Sequence, residues 1–393
     1  MSERAVRHAP GGSWPDRRQS LLLRAALLEG AAAAAAWREW ADGTVSPQPQ
    51  REATSLEWLD AGSVRLLPLA YENLIRLGEP LPLLRRMRGV HRHAWCRNQL
   101  LFRRVAEVIA SLEQSGVPSL LLKGVPLAIA HYGSAAARPM ADVDLLVHPG
   151  DVPGAVRVLA RLGWRPVEEP SAWPPEPLAS WAFVNDDRQE TDLHWRVFAE
   201  SYRPDDRLWT RSEPLTVHGT PARALAAPEQ LLHVLVHGIK WNPVPSIRWI
   251  PDAVAVIRRA GDGFDWDELL DLAERLQFQP ILQVGLAYLR SMFDVTVPRQ
   301  VVRFIEERPM TRHERVALAA RTRPGPMAAA YRVWCDYRRF AADRQHRLGP
   351  DGLRRYLQGA WQVDSARALG SVAAGKLASR LRHARHARGA RSL

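Results

Sequence analysis

The sequence predicts an α+β fold in which a small core with a mixed sheet is flanked by α-helical regions on both sides. Three observations support this. The apolar run "SLLLKG" from Ser119 and the run "DVDLLV" from Asp142 are typical of buried strands. "SWAFVNDDRQETDLHWRV" has two alternating runs around Asn185-Asp186-Asp187, which predicts a β-hairpin. Both flanks show apolar residues at helical spacing.

The elements divide the chain into four predicted regions. Residues 1–95 form an N-terminal helical region, and residues 96–220 form the core. A helix over 97–115 opens that core and ends at Gly116. Residues 221–345 form a C-terminal helical domain, and 346–393 form a basic, partly disordered helical tail. Within the core the predicted order is strand, helix, strand, helix and hairpin.

Composition limits the class of protein. The chain has 393 residues, 46% of them hydrophobic, which is enough for sizeable cores. The most apolar stretch, "LLLRAALLEGAAAAAAWREW", contains Arg24 and Glu29, so no membrane span is predicted. No signal peptide is recognised, and the two cysteines suggest neither a disulfide framework nor a zinc site. We therefore expect a cytoplasmic protein.

The net charge of +12 raises the question of nucleic-acid binding. Lys123, Lys240 and Lys376 are the three lysines, and all other cations are arginine, as is typical of GC-rich coding sequences. Most of this charge is expected to lie on solvated helix faces. The tail from Lys376 is the exception, because it has six Lys or Arg and no acid. Nucleic acid is a possible but not a favoured partner.

Asp142 and Asp144 alternate on a predicted strand, so their carboxylates should lie on one face, with a positive group nearby to offset the repulsion. Asp192 on a later strand can join them. Three such carboxylates suit two Mg²⁺ ions about 3.5–4 Å apart. Neither GxGxxG nor a P-loop is present, so the predicted phosphate-binding element is Lys123-Gly124, where a strand meets a helix.

These segments resemble nucleotidyltransferases of the DNA polymerase beta superfamily. The chain is similar in particular to a bacterial branch of nucleotidyltransferase family proteins related to abortive-infection toxins. The resemblance rests on "LLLKG" with "HYG", "RPMADVDLLV" and "TDLHW", and it extends to "LLHVLVHGIKW", "IRWIPD" and "DWDELLDLA". Gly124-Val125 departs from the superfamily's Gly-Gly or Gly-Ser pair, so the serine that often contacts the γ-phosphate is missing.

The resemblance implies a transferase that uses Mg²⁺, or alternatively Mn²⁺, to move a nucleoside monophosphate from a nucleoside triphosphate to an acceptor hydroxyl. Asp142 and Asp144 would bind the metals, and Asp192 would complete one metal site and help to deprotonate the acceptor. The acceptor is expected to be a small molecule, peptide or protein, as in natural-product tailoring. An RNA-directed toxin-like transferase and a non-catalytic nucleotide-binding or partner-binding descendant are the alternatives.

Further roles follow from the same resemblance. Lys123 and Arg138 would contact phosphates, Gly124 would allow their close approach, and His194 would orient a carboxylate or the acceptor. Arg138 and His194 also have a structural alternative. Arg138 can instead neutralise the two aspartates, and His194 can be a hydrogen-bonded core histidine.

Two other groups of residues are open to a structural interpretation. His233 and His237 share one helix face, but Val234 stands where an HExxH motif has glutamate, so a packed helix beside the active site is expected. Trp241, Trp249 and Asp252 either shape a pocket or close a helical core.

Overall fold

A mixed seven-stranded sheet lies at the centre of the structure, a computed structural model that describes residues 12–42, 59–78, 80–170, 173–202, 205–323, 325–345 and 348–389. The strand order is β3-β4-β5-β2-β1-β7-β6. The strands are β1 (Ser119–Leu122), β2 (Asp142–Val147), β3 (Arg165–Pro166), β4 (Ser180–Val184), β5 (Glu190–His194), β6 (Glu213–Val217) and β7 (Thr220–Ala224).

The central pairing confirms the strands that the sequence predicts. β1 pairs antiparallel with β2, β2 pairs parallel with β5, and β4 with β5 forms the expected hairpin. In the parallel pair Asp144 lies opposite Asp192. Because neighbouring strands are about 4.8 Å apart, this register places two acids from distant segments side by side on one face.

The strands β6 and β7 are absent from the sequence interpretation. Each contains a proline, Pro214 and Pro221, which weakens the strand signal. They meet at His218-Gly219, where both residues have positive φ (49° and 83°), as a tight hairpin turn requires. β7 pairs with β1, so the sheet continues past the predicted core boundary at residue 220.

Four helices precede the sheet in the described residues. They are α1 (Arg17–Leu27), α2 (Gly30–Asp42), α3 (Ala61–Ile75) and α4 (Leu84–Gln114). α4 runs without a break through the predicted boundary at residue 95 and begins well before the predicted start at residue 97. Its first turns are rich in arginine and bury few side chains, so their apolar periodicity is weak. The four-region division of the chain remains a prediction.

Short helices connect the strands. In the described residues nine α-helices follow the last strand. The connecting helices are α5 (Gly124–Pro126), which continues as a π-helical turn (Leu127–His131), α6 (Val152–Arg161) and α7 (Asp206–Thr210). The C-terminal helices are α8 (Ala227–Gly238), α9 (Trp249–Ala260), α10 (Trp266–Arg275), α11 (Gln279–Phe293), α12 (Arg299–Glu307), α13 (Arg312–Thr322), α14 (Pro326–Asp343), α15 (Pro350–Ala360) and α16 (Ala366–Gly389).

Two apolar cores cover the two faces of the sheet. Leu120 and Leu122 of β1 join a core made with α1 to α3 and α8 to α11, whereas Leu121 joins a second core made with α4 and α6. This alternation follows from the strand period of two. Helices from both ends of the chain therefore share one core on one face, and Asp144 and Asp192 lie on that same face.

No helix among the described residues combines the length and the apolar character needed to cross a bilayer.

A buried ion pair fastens the segment before β2 to α9. The guanidinium of Arg138 donates from Nε to Oδ1 and from a terminal nitrogen to Oδ2 of Asp252, both at 2.8 Å. The Tyr132 hydroxyl donates to the same Oδ1 at 2.7 Å. Burial alone would raise the pKa of Asp252, but the charge and hydrogen bonds of Arg138 lower it. Arg138 and Asp252 are 7% and 5% exposed, so each depends on the other for its charge to be tolerated.

The helices α8 and α9 approach each other at Gly238. A Cβ added there would lie 2.2 Å from the Cβ of Trp249. We expect Gly238→Ala to destabilise the protein by roughly 1–3 kcal/mol, because the contact atom adjoins the α9 backbone and cannot move freely. Urea denaturation measures the loss. Gly370→Ala is the control, since the exposed Gly370 of α16 has open space around it. Equal stability of the two variants would contradict this packing.

We also expect Arg138→Met to cost about 3–5 kcal/mol of unfolding free energy, because it leaves the Asp252 carboxylate buried without a cation. The double variant Arg138→Met/Asp252→Leu should recover a large part of that loss. The control is Arg165→Met, which breaks an exposed pair with Asp186 and should be nearly neutral. A single Arg138 variant as stable as the control would show that the pair is not structurally required.

Candidate functional site

Four polar side chains meet where β1, β2 and β5 lie side by side. Asp144 comes from β2, Asp192 and His194 come from β5, and Lys123 directly follows β1. The antiparallel register sets Leu122 opposite Asp144, and the strand ends there, so Lys123 directly after it reaches Asp144 with its ammonium. Asp144 and His194 are 4% and 7% exposed, so these two side chains are buried on the face of the sheet that the helices cover.

Asp144 is held by two donors on one oxygen. Lys123 Nζ lies 2.5 Å from Asp144 Oδ1, and His194 Nε2 lies 3.0 Å from the same atom. Burial alone would raise the pKa of Asp144, but the hydrogen bond from His194 and the positive charge of Lys123 lower it well below its usual range. Lys123 is therefore the positive group that the sequence predicts beside the strand aspartates.

The pKa of Asp192 is shifted in the opposite direction. Burial and the negative charge of Asp144 raise the pKa of Asp192 above its usual value. One oxygen each of Asp144 and Asp192 and one ring nitrogen of His194 lie within 4.8 Å of one another. A divalent cation among these three donor atoms would relieve the repulsion between the carboxylates, so the donor set fits a metal.

Asp142 lies at the exposed start of β2, one strand period before Asp144 and opposite Glu190. It is outside the group of three close donor atoms, although its charge still contributes to the raised pKa of Asp192. The structure thus brings Asp144 and Asp192 together with His194 and places Asp142 at the outer rim of the site.

The Lys123-Gly124 junction has an unusual backbone. Lys123 has φ 50° and ψ −109°, a conformation that side-chain-bearing residues avoid, and such strain is concentrated at functional sites. A Cβ on Gly124 would lie 2.8 Å from Met140 Sδ and 3.1 Å from a guanidinium nitrogen of Arg138. Gly124 therefore lets the segment before β2 pack closely, a role distinct from the phosphate approach that the sequence suggested.

Arg138 lies in the bidentate pair with Asp252 described above. The sequence interpretation placed it on phosphate or between the strand aspartates, but its Nε and one terminal nitrogen bond a buried carboxylate. Removing it from Asp252 to reach a phosphate would leave that carboxylate buried and unpaired. We therefore assign Arg138 to positioning of the segment before β2. Asp252, considered from the sequence as a pocket residue, is its partner.

The helix α8 packs over the site, as expected for the His233 and His237 segment. His233 is 5% exposed, and its ring meets Phe198 edge-on at 5.6 Å between centroids. Burial, together with the positive charge of Lys123, lowers the pKa of His233 to about 3, so the ring is neutral at pH 7. His237 lies one turn further on, with its ring centroid 6.3 Å from that of His233.

Lys240 directly follows α8 and is half-buried. Burial and the positive charge of Arg321 lower the pKa of Lys240, and Lys123 adds to the effect. The sequence interpretation gave Lys240 no role.

Three solved structures are similar to part of the chain. The solution structure of the antibiotic-resistance factor ANT(2'')-Ia has 14% identity and a TM-score of 0.34, covering 46% of this chain and 94% of that one. The crystal structure of ANT(2'')-Ia with adenylyl-2''-tobramycin has 15% identity and a TM-score of 0.33, covering 46% and 98%. An antigenic nucleotidyltransferase-like protein from Paracoccidioides brasiliensis has 14% identity and a TM-score of 0.31, covering 51% and 95%.

These TM-scores are low, so the assignment of the chain rests on its sequence. None of the curated proteins matches it. The model of a family described as "uncharacterised nucleotidyltransferase" matches residues 61–294, which include the whole sheet, the site and α8 to α11. The chain is a nucleotidyltransferase of this family.

Proposed function

We propose that this nucleotidyltransferase transfers a nucleoside monophosphate from a nucleoside triphosphate to an acceptor hydroxyl, with a divalent cation held by Asp144 and Asp192. The observation that carries the proposal is the cluster of Asp144, Asp192 and His194 donor atoms within 4.8 Å, with Lys123 bonded to the same Asp144 oxygen. Acids and a lysine side by side suit a metal-bound triphosphate, which needs both carboxylates for the metal and cations for the phosphates.

The cation would be held by the two carboxylates, with His194 or the rim residue Asp142 completing the donor set. Carboxylate oxygens suit Mg²⁺, and an imidazole donor also suits Mn²⁺. When bound, such an ion offsets the negative charge that builds up on the phosphates during displacement.

Lys123 has to change partner during this cycle. Its ammonium bonds Asp144 Oδ1, and it would compete for the Asp144 carboxylate with a divalent cation held by Asp144 and Asp192. The released ammonium would then lie beside the triphosphate, where it would bind a phosphate oxygen. Lys123 therefore serves first as a substitute cation for Asp144 and then as a phosphate ligand.

Asp192 is suited to receive a proton. In the proposed step the acceptor oxygen forms a bond to the α-phosphorus while the bond from that phosphorus to the pyrophosphate oxygen breaks. The hydroxyl proton passes to Asp192, and pyrophosphate leaves. Asp192 lies beside Asp144 on the same face of the sheet, so a hydroxyl that enters the site would meet a carboxylate oxygen able to accept its proton.

For the acceptor we propose a hydroxyl on a small molecule, peptide or protein. The alternative RNA acceptor depends on the basic tail, whose side chains from residue 379 onward lie outside the described residues. Because the reaction consumes nucleoside triphosphates, we expect it to take place in the cytoplasm.

The decisive experiment supplies the purified protein with Mg²⁺ or Mn²⁺, a cell lysate and each nucleoside triphosphate labelled in turn at the α- or the γ-phosphorus. Transfer of a nucleoside monophosphate puts the α-label on the acceptor and leaves the γ-label in pyrophosphate. An acceptor that carries the γ-label would indicate a kinase and contradict the proposal.

We expect Asp144→Asn and Asp192→Asn to lower the rate of α-label transfer by roughly a hundredfold or more, because each removes a carboxylate donor from the metal site. Mn²⁺ binding, followed by electron paramagnetic resonance, should weaken in parallel. The control is Asp186→Asn in the β4–β5 turn, where the side chain is 82% exposed. Wild-type transfer or Mn²⁺ binding by both site variants would refute this metal site.

Lys123→Ala should shift two affinities in opposite directions. Binding of nucleoside triphosphate should weaken roughly tenfold, because a charge-assisted phosphate contact is lost. Binding of Mn²⁺ without nucleotide should become tighter, because the competing ammonium leaves Asp144. Calorimetry and Mn²⁺ resonance measure the two affinities, with Lys376→Ala as the control. Weaker Mn²⁺ binding in the Lys123 variant would show that the lysine does not compete with the metal.

A further inference from the structure

Asn98 of α4 is completely buried, and its side chain bonds backbone groups of the segment before β2, residues 135–140. Its amide nitrogen donates to the carbonyl oxygen of Ala135 and, at 2.9 Å, to that of Arg138. Its amide oxygen accepts a hydrogen bond from the Met140 amide at 3.2 Å. These bonds use both donors of the side chain on one short segment, so Asn98 joins α4 to that segment.

The segment before β2 contains neither helix nor strand, so its position depends on side chains from other elements. Arg248, which directly precedes α9, donates to the Pro139 carbonyl oxygen at 3.0 Å. The bidentate pair of Arg138 with Asp252 is a second contact with α9. Asn98 supplies the contacts from α4, a helix that packs in the other apolar core. Without Asn98 the segment would keep its bonds to the α9 region and lose those to α4.

Two of the residues that Asn98 bonds are also the residues that pack against Gly124. A Cβ on Gly124 would lie 2.8 Å from Met140 Sδ and 3.1 Å from a guanidinium nitrogen of Arg138, so both side chains approach the glycine closely. Gly124 directly follows Lys123, whose φ of 50° and ψ of −109° form a strained conformation. Such a conformation persists only where the surrounding structure enforces it. Asn98 therefore fixes the groups that surround the Lys123-Gly124 junction.

We propose that Asn98 is a positioning residue for nucleotidyl transfer. It acts through the segment before β2, which it holds against Gly124, and so keeps Lys123 where its ammonium reaches Asp144 and then a phosphate. The proposal rests on the proposed function and adds to it a residue of α4. An apolar residue of similar volume at position 98 would fill the space, but it would leave two carbonyls and one amide of the segment without their partners.

The test measures the binding of two probes to the full-length protein. Binding of inorganic tripolyphosphate with Mg²⁺, followed by calorimetry, should weaken roughly three- to tenfold in Asn98→Ala, because the junction that presents Lys123 is no longer held in place. Binding of Mn²⁺ alone, followed by electron paramagnetic resonance, should not weaken. Asp144 and Asp192 are held side by side by the β2–β5 ladder, which does not depend on Asn98.

Gln283→Ala is the matched control. Gln283 of α11 is also buried, and its amide nitrogen also donates to two backbone carbonyl oxygens, those of Ile305 and Arg308, each at 3.0 Å. Its replacement therefore removes the same kind of hydrogen bonds without touching the segment before β2. We expect this variant to bind both probes as the wild type does.

A double variant separates positioning from a general structural role. If Asn98 acts through Lys123, then Asn98→Ala/Lys123→Ala should bind tripolyphosphate as weakly as Lys123→Ala alone, because the contact to be positioned is already gone. Two losses that multiply in the double variant would overturn the proposal, since residues that act independently have additive free energies.

Thermal denaturation identifies a temperature at which each variant is folded. Asn98→Ser, which keeps one hydroxyl donor, replaces Asn98→Ala in every comparison if the alanine variant does not fold. A folded Asn98 variant that binds tripolyphosphate as tightly as the wild type would overturn the proposal, and so would one that loses Mn²⁺ binding to the same extent. Either result leaves the proposed function supported if Lys123→Ala weakens tripolyphosphate binding. A wild-type protein that binds neither probe would contradict the proposed function itself, so the two failures are distinguishable.

Discussion

The structure depends on the parallel pairing of β2 with β5, which sets Asp144 beside Asp192 on a buried face. Two carboxylates this close repel each other, and the cost is offset by Lys123 and His194, which both bond the same oxygen of Asp144. The sheet must keep this register, because a shift of β5 by one residue would turn Asp192 toward the opposite core and away from Asp144. The surrounding sheet and helices hold Asp144 and Asp192 close together, although the two carboxylates would repel each other without Lys123 and His194.

Helices from both ends of the chain support that register. α1 to α3 and α8 to α11 share a single apolar core with one face of the sheet, so the polar cluster lies beneath a helical layer instead of on an open surface. The Arg138–Asp252 pair joins the segment before β2 to α9, and Arg321 joins the end of α8 to α13. This ion pair and the hydrogen bonds from Arg321 to the α8 backbone fix two segments that border the site.

The sequence predicted the strands and the hairpin that carry the candidate site residues. Alternation of Asp142 and Asp144 within an apolar run is a strand pattern that needs no tertiary information, and the hairpin before Asp192 follows from its turn residues. The sequence did not predict β6, β7 or the start of α4, where the apolar pattern is weak. β6 and β7 contain prolines, and the first turns of α4 have few apolar residues, so neither has a strong period of its own. Both are held in place by neighbours that lie far away in the sequence.

By itself, then, the sequence determined which residues share a strand face and where chain turns occur, because these depend on backbone geometry over a few residues. Only the tertiary structure decided which polar groups become partners. Arg138 looked equally suited to phosphate or to the strand acids, yet it pairs with Asp252, 114 residues further along the chain. His194 joined the close donor group in place of Asp142 because the register and burial of β5 place it there. Charge pairing acts over a few ångströms in space, and separation along the chain carries no information about that distance.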